Sequence, residues 1–236
     1  PMTRRRLLNI EISGINSTYV AYLMNYNKIL KQRNAYLKAL NKKNIYQNDF
    51  LDILTSQLID LGLKIMSIRM EFINNINSYI SDIYEMITGK GLLSIHYKSE
   101  FKGKTKEQLQ NLFAKNISRE IIMGKTLFGP QHDDIEFMID KEIVKEYSSV
   151  GEQKNSVIAF KLAEIKNIEK LLNRKPILIL DDLFSELDQE KINNILNLLD
   201  SDMQTFITTT EIDKVDPKLR NNAKIIKCEN GKIMEE

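Results

Sequence analysis

The chain has 236 residues, 42% hydrophobic and 28% charged, with 9 Gly and 4 Pro, which is the composition of a folded globular protein rather than a disordered or collagen-like one. Its one cysteine, Cys228, excludes an internal disulfide and fits a reducing, cytoplasmic setting, and no apolar run approaches the ~20 residues a membrane span needs. Net charge is only +2, but residues 1–120 carry 18 Lys and Arg against 10 Asp and Glu while residues 121–236 carry 16 against 22, so the first half offers either a nucleic-acid surface or simply lysine-rich solvated helices.

The opening PMTRRRLL reads as the interior of a longer protein. From 16 to 42, apolar groups recur at Tyr19, Leu23, Tyr26, Leu30, the stem of Arg33, Leu37 and Leu40, spacings of three and four that mark one face of a helix. Asn16 and Ser17 are its alternative caps. After a polar link, NKKN at 41–44, a second helical stripe runs from Leu51 through Leu58, Ile65, Phe72 and Ile80 to Ile87. Gly62 lies inside it, where a break or bend is expected. Two such helices joined by a short link predict an antiparallel hairpin, and residues 1–90 form a helical hairpin domain on this reading.

Residues 91–236 alternate strands with helices. LLSIHYKS (92–99) reads as a strand, 105–123 as a helix, and DIEFMID and EIVKEY as two more strands. A helix follows from Gly151 to Asn173, then a buried strand at 177–181, a helix from Gln189 to Leu199, a strand at 204–210 and a terminal hairpin around Asn230-Gly231. The expected fold class is α/β plus all-α.

The strand PILILDD delivers Asp181 and Asp182 to its carboxyl end, as in nucleotide-hydrolysing sites that hold Mg²⁺ and handle the attacking water. A phosphate loop of the form GxxxxGK[ST] is the usual companion. Gly124-Lys125-Thr126 and Gly103-Lys104-Thr105 end correctly, but Arg119 and Lys98 stand where the first glycine is required, so neither is a P-loop. A second motif accompanies the acids instead. Ser149-Val150-Gly151-Glu152-Gln153 opens a helix, whose free N–H groups and dipole suit a phosphate, and Ser185-Glu186-Leu187-Asp188 follows the acids. Each alone reads equally as a helix cap. His132 has no clustered partners and reads as no metal ligand.

The order of signature, acidic strand and D-loop resembles ABC-type ATPases. RRRLLNIEIS, YNKILKQRNAYLK, GPQHDDIEF, SSVGEQ, LAEI, ILILDDLFSELD and TFITTT together resemble the RecF family of the ABC/SMC class, beginning after the segment that bears the P-loop. Gln131-His132 departs from the family's more frequent His-Arg. The resemblance implies part of an ABC-type ATPase head with an antiparallel helical hairpin, or lever, and ATP held with Mg²⁺ between two heads of a homodimer. In that scheme Asp181 is the Mg²⁺-associated acid and Asp182 the group acting on water. Ser149, Gly151, Glu152 and Gln153 meet the partner's nucleotide, Ser185 and Asp188 form the D-loop, and Thr208 and Thr209 take the switch position. It also implies a weak ATPase acting at single-/double-strand DNA junctions with RecO and RecR to load RecA, in replication, recombination, repair and the SOS response. The 236 residues by themselves are expected to be inactive and to hold no nucleotide. Arg4, Arg5, Arg6, Lys28, Lys31, Arg33, Lys42 and Lys43 are DNA-binding candidates by charge. An SMC-type structural DNA-binding module is the alternative, and a scaffold with a vestigial ATPase half is a third class that the intact acids and signature oppose.

Overall fold

The computed structural model describes residues 2–43, 49–182, 187–200, 202–215, 217–229 and 232–235. Three helices open it, α1 (Met2–Ile15), α2 (Ser17–Lys43) and α3 (Asp49–Thr88). α1 was not anticipated as a separate element. It buries only Leu8 and Ile12, too sparse a stripe to stand out in sequence. Of the two possible caps for α2, Asn16 is used: its side chain accepts from the Tyr19 N–H at 2.9 Å, satisfying a donor that the first turn leaves unpaired.

Contacts between α2 and α3 run in opposite order, Lys64 over the Tyr22 ring and Arg33 on Thr55, so the pair is the antiparallel hairpin expected. α3 runs 40 residues without interruption at Gly62, against the expected bend. The glycine is there for space: a Cβ would sit 2.6 Å from the Phe101 ring and 3.2 Å from Pro130. Tertiary packing outweighs the helix-propensity cost of one glycine.

Two buried arginines knit the helices to the rest. Arg33 is 0% exposed and donates to Thr55 Oγ1 at 2.9 Å, Thr126 Oγ1 at 2.8 Å and Glu120 Oε2 at 2.6 Å. Its guanidinium also lies 4.9 Å from the Phe113 ring centre. This corrects the sequence expectation that Arg33 buries only its stem and offers its charge to DNA. Arg69 donates to Tyr19 Oη, Asn9 Oδ1, the Pro130 carbonyl and Asp133 Oδ2, each at 2.9 Å, and Tyr97 donates to the same Asp133 oxygen. The GPQHDD stretch is therefore a structural knot. Gly129 has φ +125°, and a Cβ there would meet Tyr26 Oη and Gln131 Oε1. Gln131 takes the Tyr26 hydroxyl and donates to the Phe128 carbonyl, while His132 Nε2 lies 3.1 Å from the Thr126 carbonyl.

β1 (Leu93–Lys98), β2 (Asp134–Ile139) and β3 (Glu142–Ile143) form an antiparallel sheet in that order. Between β1 and β2 runs α4 (Lys106–Met123), begun by a Thr105–Gln108 capping box and ended by Gly124 in the left-handed conformation. EIVKEY, expected as one strand, divides: Val144–Tyr147 is the short helix α5, whose Val144 turns into the core. α6 (Val150–Leu172) packs on α3, with Ala159, Phe160 and Ala163 in the apolar core shared with Ile65, Ile76 and Ile80. β4 (Leu178–Asp181), α7 (Gln189–Leu198) and β5 (Thr205–Thr208) form a parallel crossover unit, Leu178 pairing Thr205 and Asp181 pairing Thr208. α8 (Pro217–Asn221) and the antiparallel pair β6 (Ile226–Glu229) and β7 (Lys232–Glu235) close the chain. The Asn230-Gly231 turn lies outside the described residues.

β4 is not buried as expected. Leu178 and Leu180 face the helices, but Ile179 is 67% exposed and its register partner Phe206 is 50% exposed. The run of apolar residues in PILIL belongs to a strand that this chain covers on one face only.

α1 meets α6 through Glu11, Lys161 and Glu164. Lys161 bridges both carboxylates, at 3.0 Å from Glu164. Burial, and then the hydrogen bond with Glu11, push the Glu164 carboxyl from the usual 4.5 up to about 8. Glu164 is thus more easily protonated folded than unfolded. Its contribution to stability is fully present below the unfolded value and is lost as pH rises through the folded one. Glu164→Gln is therefore expected to flatten the loss of melting temperature between pH 5 and pH 9 (roughly the span of the two values), checked by calorimetric melts across that range. An unchanged slope contradicts the shared-proton arrangement.

Candidate functional site

Asp181 and Asp182 stand at the carboxyl end of β4, both exposed. Thr208, opposite Asp181 at the end of β5, holds them in place. Its hydroxyl donates to Asp181 Oδ1 at 2.6 Å, and its oxygen accepts from the Asp182 N–H at 3.0 Å. Asp182 adopts φ +49°, a left-handed conformation that Asp and Asn tolerate better than most residues. Thr209 Oγ1 accepts from the Glu211 N–H at 3.0 Å.

At the start of α6, Ser149 is the N-cap. Its hydroxyl accepts from the Glu152 N–H at 3.3 Å, while its own N–H and hydroxyl both reach Glu152 Oε2 at 2.9 Å. Those two donors, backbone first, hold the Glu152 carboxyl below the usual carboxylate range. Gly151 is exposed, and a Cβ there would meet nothing within 4 Å, so the face around it is open to a large anion. Gln153 is also exposed and donates to the Ser148 carbonyl at 3.1 Å. The helix amino end thus presents a small, open, hydrogen-bonding surface with the helix dipole behind it.

Asp188 caps α7, accepting from the Lys191 N–H at 2.9 Å and pairing with the Lys191 ammonium, which with the backbone bond holds its carboxyl below the usual range. Ser185 lies outside the described residues. Asp181, Asp182 and Thr208 are brought together, whereas Ser149–Gln153 open α6 and β4 follows from that helix's far end. A helix of this length spans about 33 Å.

Two exposed carboxylates suit Mg²⁺, which keeps several waters and takes one or two carboxylates together with substrate phosphates. No group of three or more His, Cys, Asp or Glu that could hold a metal ion occurs among the described residues. No described helix is long and apolar enough to cross a membrane.

The whole chain aligns with proteins of DNA replication and repair. It is 36% identical over 244 residues to the DNA replication and repair protein RecF of Ligilactobacillus salivarius, covering 100% of this chain and 64% of that protein. Against the protein of the same name in Streptococcus agalactiae it is 40% identical over 239 residues, covering 99% and 63%.

The chain belongs to the RecF family.

The fold agrees: a solved structure of the recombination mediator protein RecF with ATP in the RecFOR pathway matches with a TM-score of 0.84 at 27% identity, covering 100% of this chain and 63% of that one. No family model matches. The chain thus spans somewhat under two thirds of the RecF proteins it matches, and its α/β plus all-α architecture with a helical hairpin is theirs.

Among the cations singled out by charge, Arg4 pairs with Asp134 at 2.6 Å and Arg5 donates to the Asp133 carbonyl at 2.8 Å, so both hold the GPQHDD knot. Arg6, Lys28, Lys31 and Lys42 are exposed. The side chain of Lys43 lies outside the described residues. Lys38, exposed on the same helix, went unnoticed in sequence although its spacing from Lys31 and Lys42 carries the signal.

Proposed function

We propose that the chain forms part of a RecF-type DNA replication and repair ATPase of the cytoplasm. Residues 1–90 supply a helical lever, and residues 91–236 the signature, acidic strand and D-loop of an ABC-type head. The reading is supported above all by Thr208 clasping Asp181 and Asp182 at the carboxyl end of a parallel strand pair, with a serine-capped signature helix preceding them in the chain. On this reading the complete protein binds DNA at single-/double-strand junctions, dimerises around ATP, and acts with RecO and RecR to load RecA at gaps during recombination, repair and the SOS response.

The roles are those that the family resemblance implies, and the geometry supports them. Asp181 would help hold the Mg²⁺ that arrives with the nucleotide, its carboxylate oriented by the Thr208 hydroxyl. Asp182 accepts a proton from the attacking water. Ser149, Gly151, Glu152 and Gln153 meet the γ-phosphate held by the partner head, the Ser149 hydroxyl exchanging its bond to Glu152 for one to phosphate, with Ser185 and Asp188 at the seam between them. Thr208 and Thr209 take the switch position, where a hydroxyl can pass a hydrogen bond but carries no charge. Turnover is slow, because Asp182 reaches one methylene less far than a glutamate.

The 236 residues contain no GxxxxGK[ST], so the β- and γ-phosphates lack their lysine and their nest of N–H groups. Calorimetry of this chain with Mg²⁺-ATP is expected to show no micromolar binding and no hydrolysis. Micromolar binding would show that a phosphate cradle of another kind exists here.

A further inference from the structure

α2 is acid-free along its whole length. Its buried side carries Tyr19, Tyr26, Arg33, Leu37 and Leu40, which fixes the direction of its outer side. Lys28, Lys31, Lys38 and Lys42 are all exposed there. At 100° per residue they fall within an arc of about 80°, with exposed Ala35 and Ala39 between them. The result is a row of four ammonium groups about 21 Å long on a smooth helical face.

These lysines differ from many others in the molecule. Lys98, Lys104, Lys106 and Lys175 are each paired with a carboxylate. Among the described residues, none of the four on α2 enters an ion pair or hydrogen bond. Asp60 lines the shallow groove beside Lys28, but it is neutralised by Lys106 at 2.7 Å. A row of unpaired like charges is unfavourable unless an anionic partner meets it.

We propose that this face of α2 is a duplex-DNA backbone site, Lys28, Lys31, Lys38 and Lys42 tracking the phosphates of one strand. This deepens the DNA-binding reading given above and rests on it. At about 21 Å the row is long enough to meet several phosphates of one strand. The alanines leave the helix surface open to close approach. No aromatic or amide group interrupts the row to read bases, so binding is indifferent to sequence. An anionic membrane fits less well, because the apolar side of α2 is committed to the core. An acidic protein surface is the remaining competitor.

The test is fluorescence anisotropy of the chain with a labelled duplex across a salt series. The variants are Lys28/Lys31/Lys38/Lys42→Gln and, as a charge-matched control, Lys98/Lys104/Lys106/Lys175→Gln. The α2 variant is expected to lose at least about tenfold in affinity at low salt, and its slope of log K against log salt is expected to fall by about 0.9 for each lost phosphate contact. The control is expected to keep the wild-type slope. Equal losses in both variants, or none in the α2 variant, overturn the site while leaving DNA binding itself intact. A wild-type chain that ignores duplex but binds poly-glutamate overturns the nucleic-acid assignment along with the reading beneath it. Circular dichroism melts confirm that each variant is folded.

Discussion

In a RecF-family protein that contains this chain together with a P-loop, Asp182→Asn is expected to lower ATP turnover by about 10²–10⁴-fold while leaving ATP affinity unchanged. The first part follows from the loss of a positioned proton acceptor. The second follows from local structure. Asp182 sits at φ +49°, where asparagine is as well accommodated as aspartate, and its N–H bond to Thr208 does not depend on the side chain. Single-turnover phosphate release with and without the substitution, beside equilibrium nucleotide binding, separates the two. Wild-type turnover in the variant removes the role assigned to this acid. Loss of binding with loss of turnover would place Asp182 in phosphate or Mg²⁺ contact instead.

Arg33→Met is expected to destabilise the chain by about 3–5 kcal/mol, because it strands the Glu120 carboxylate in a fully buried site. Arg33 and Glu120 are both 0% exposed, so no water compensates for the lost partner. The arginine also satisfies Thr55 and Thr126, which adds to the cost. Replacing both members, Arg33→Met with Glu120→Met, is expected to recover part of the loss, since no buried charge is left unpaired although the Leu127 N–H loses its Glu120 acceptor. Urea unfolding of the single and double variants measures this. A surface role for Arg33 predicts instead a change near zero.

These two residues mark what the sequence disclosed and what it did not. The strand that ends in the acids at 181–182 and the serine-capped start of α6 were legible because each is a local pattern, set by a few neighbouring residues. Helices α2, α3, α4 and α6 were equally legible, since three-and-four periodicity over five turns or more is hard to mistake. Arg33 was misread for the opposite reason. Its partners Thr55, Glu120 and Thr126 come from distant segments, and no local pattern distinguishes a buried arginine on an apolar stripe from one that lets its head reach solvent.

The same limit explains the smaller misreadings. α1 buries two side chains, too few for a periodic signal. Gly62 looked like a helix breaker because Phe101 and Pro130, whose close approach requires it, lie far along the chain. Apolar PILIL predicts a strand covered on both faces, yet Ile179 and Phe206 face outward in this chain. Composition records which residues suit a buried strand, but not which surface covers it.

On the proposed reading, Ser149 and its neighbours serve a nucleotide held by another copy, while Asp181 and Asp182 serve one held by their own. Sedimentation velocity of the P-loop-containing protein with ATP, wild type against Ser149→Arg, tests this most directly. Placing a long cation at the start of α6 removes the two cap bonds that the Ser149 hydroxyl makes with Glu152 and fills the open face around Gly151. The wild type is expected to sediment as a dimer with ATP, whereas the variant stays monomeric although each head binds ATP with unchanged affinity. An ATP-dependent dimer of Ser149→Arg as stable as the wild type's would contradict it.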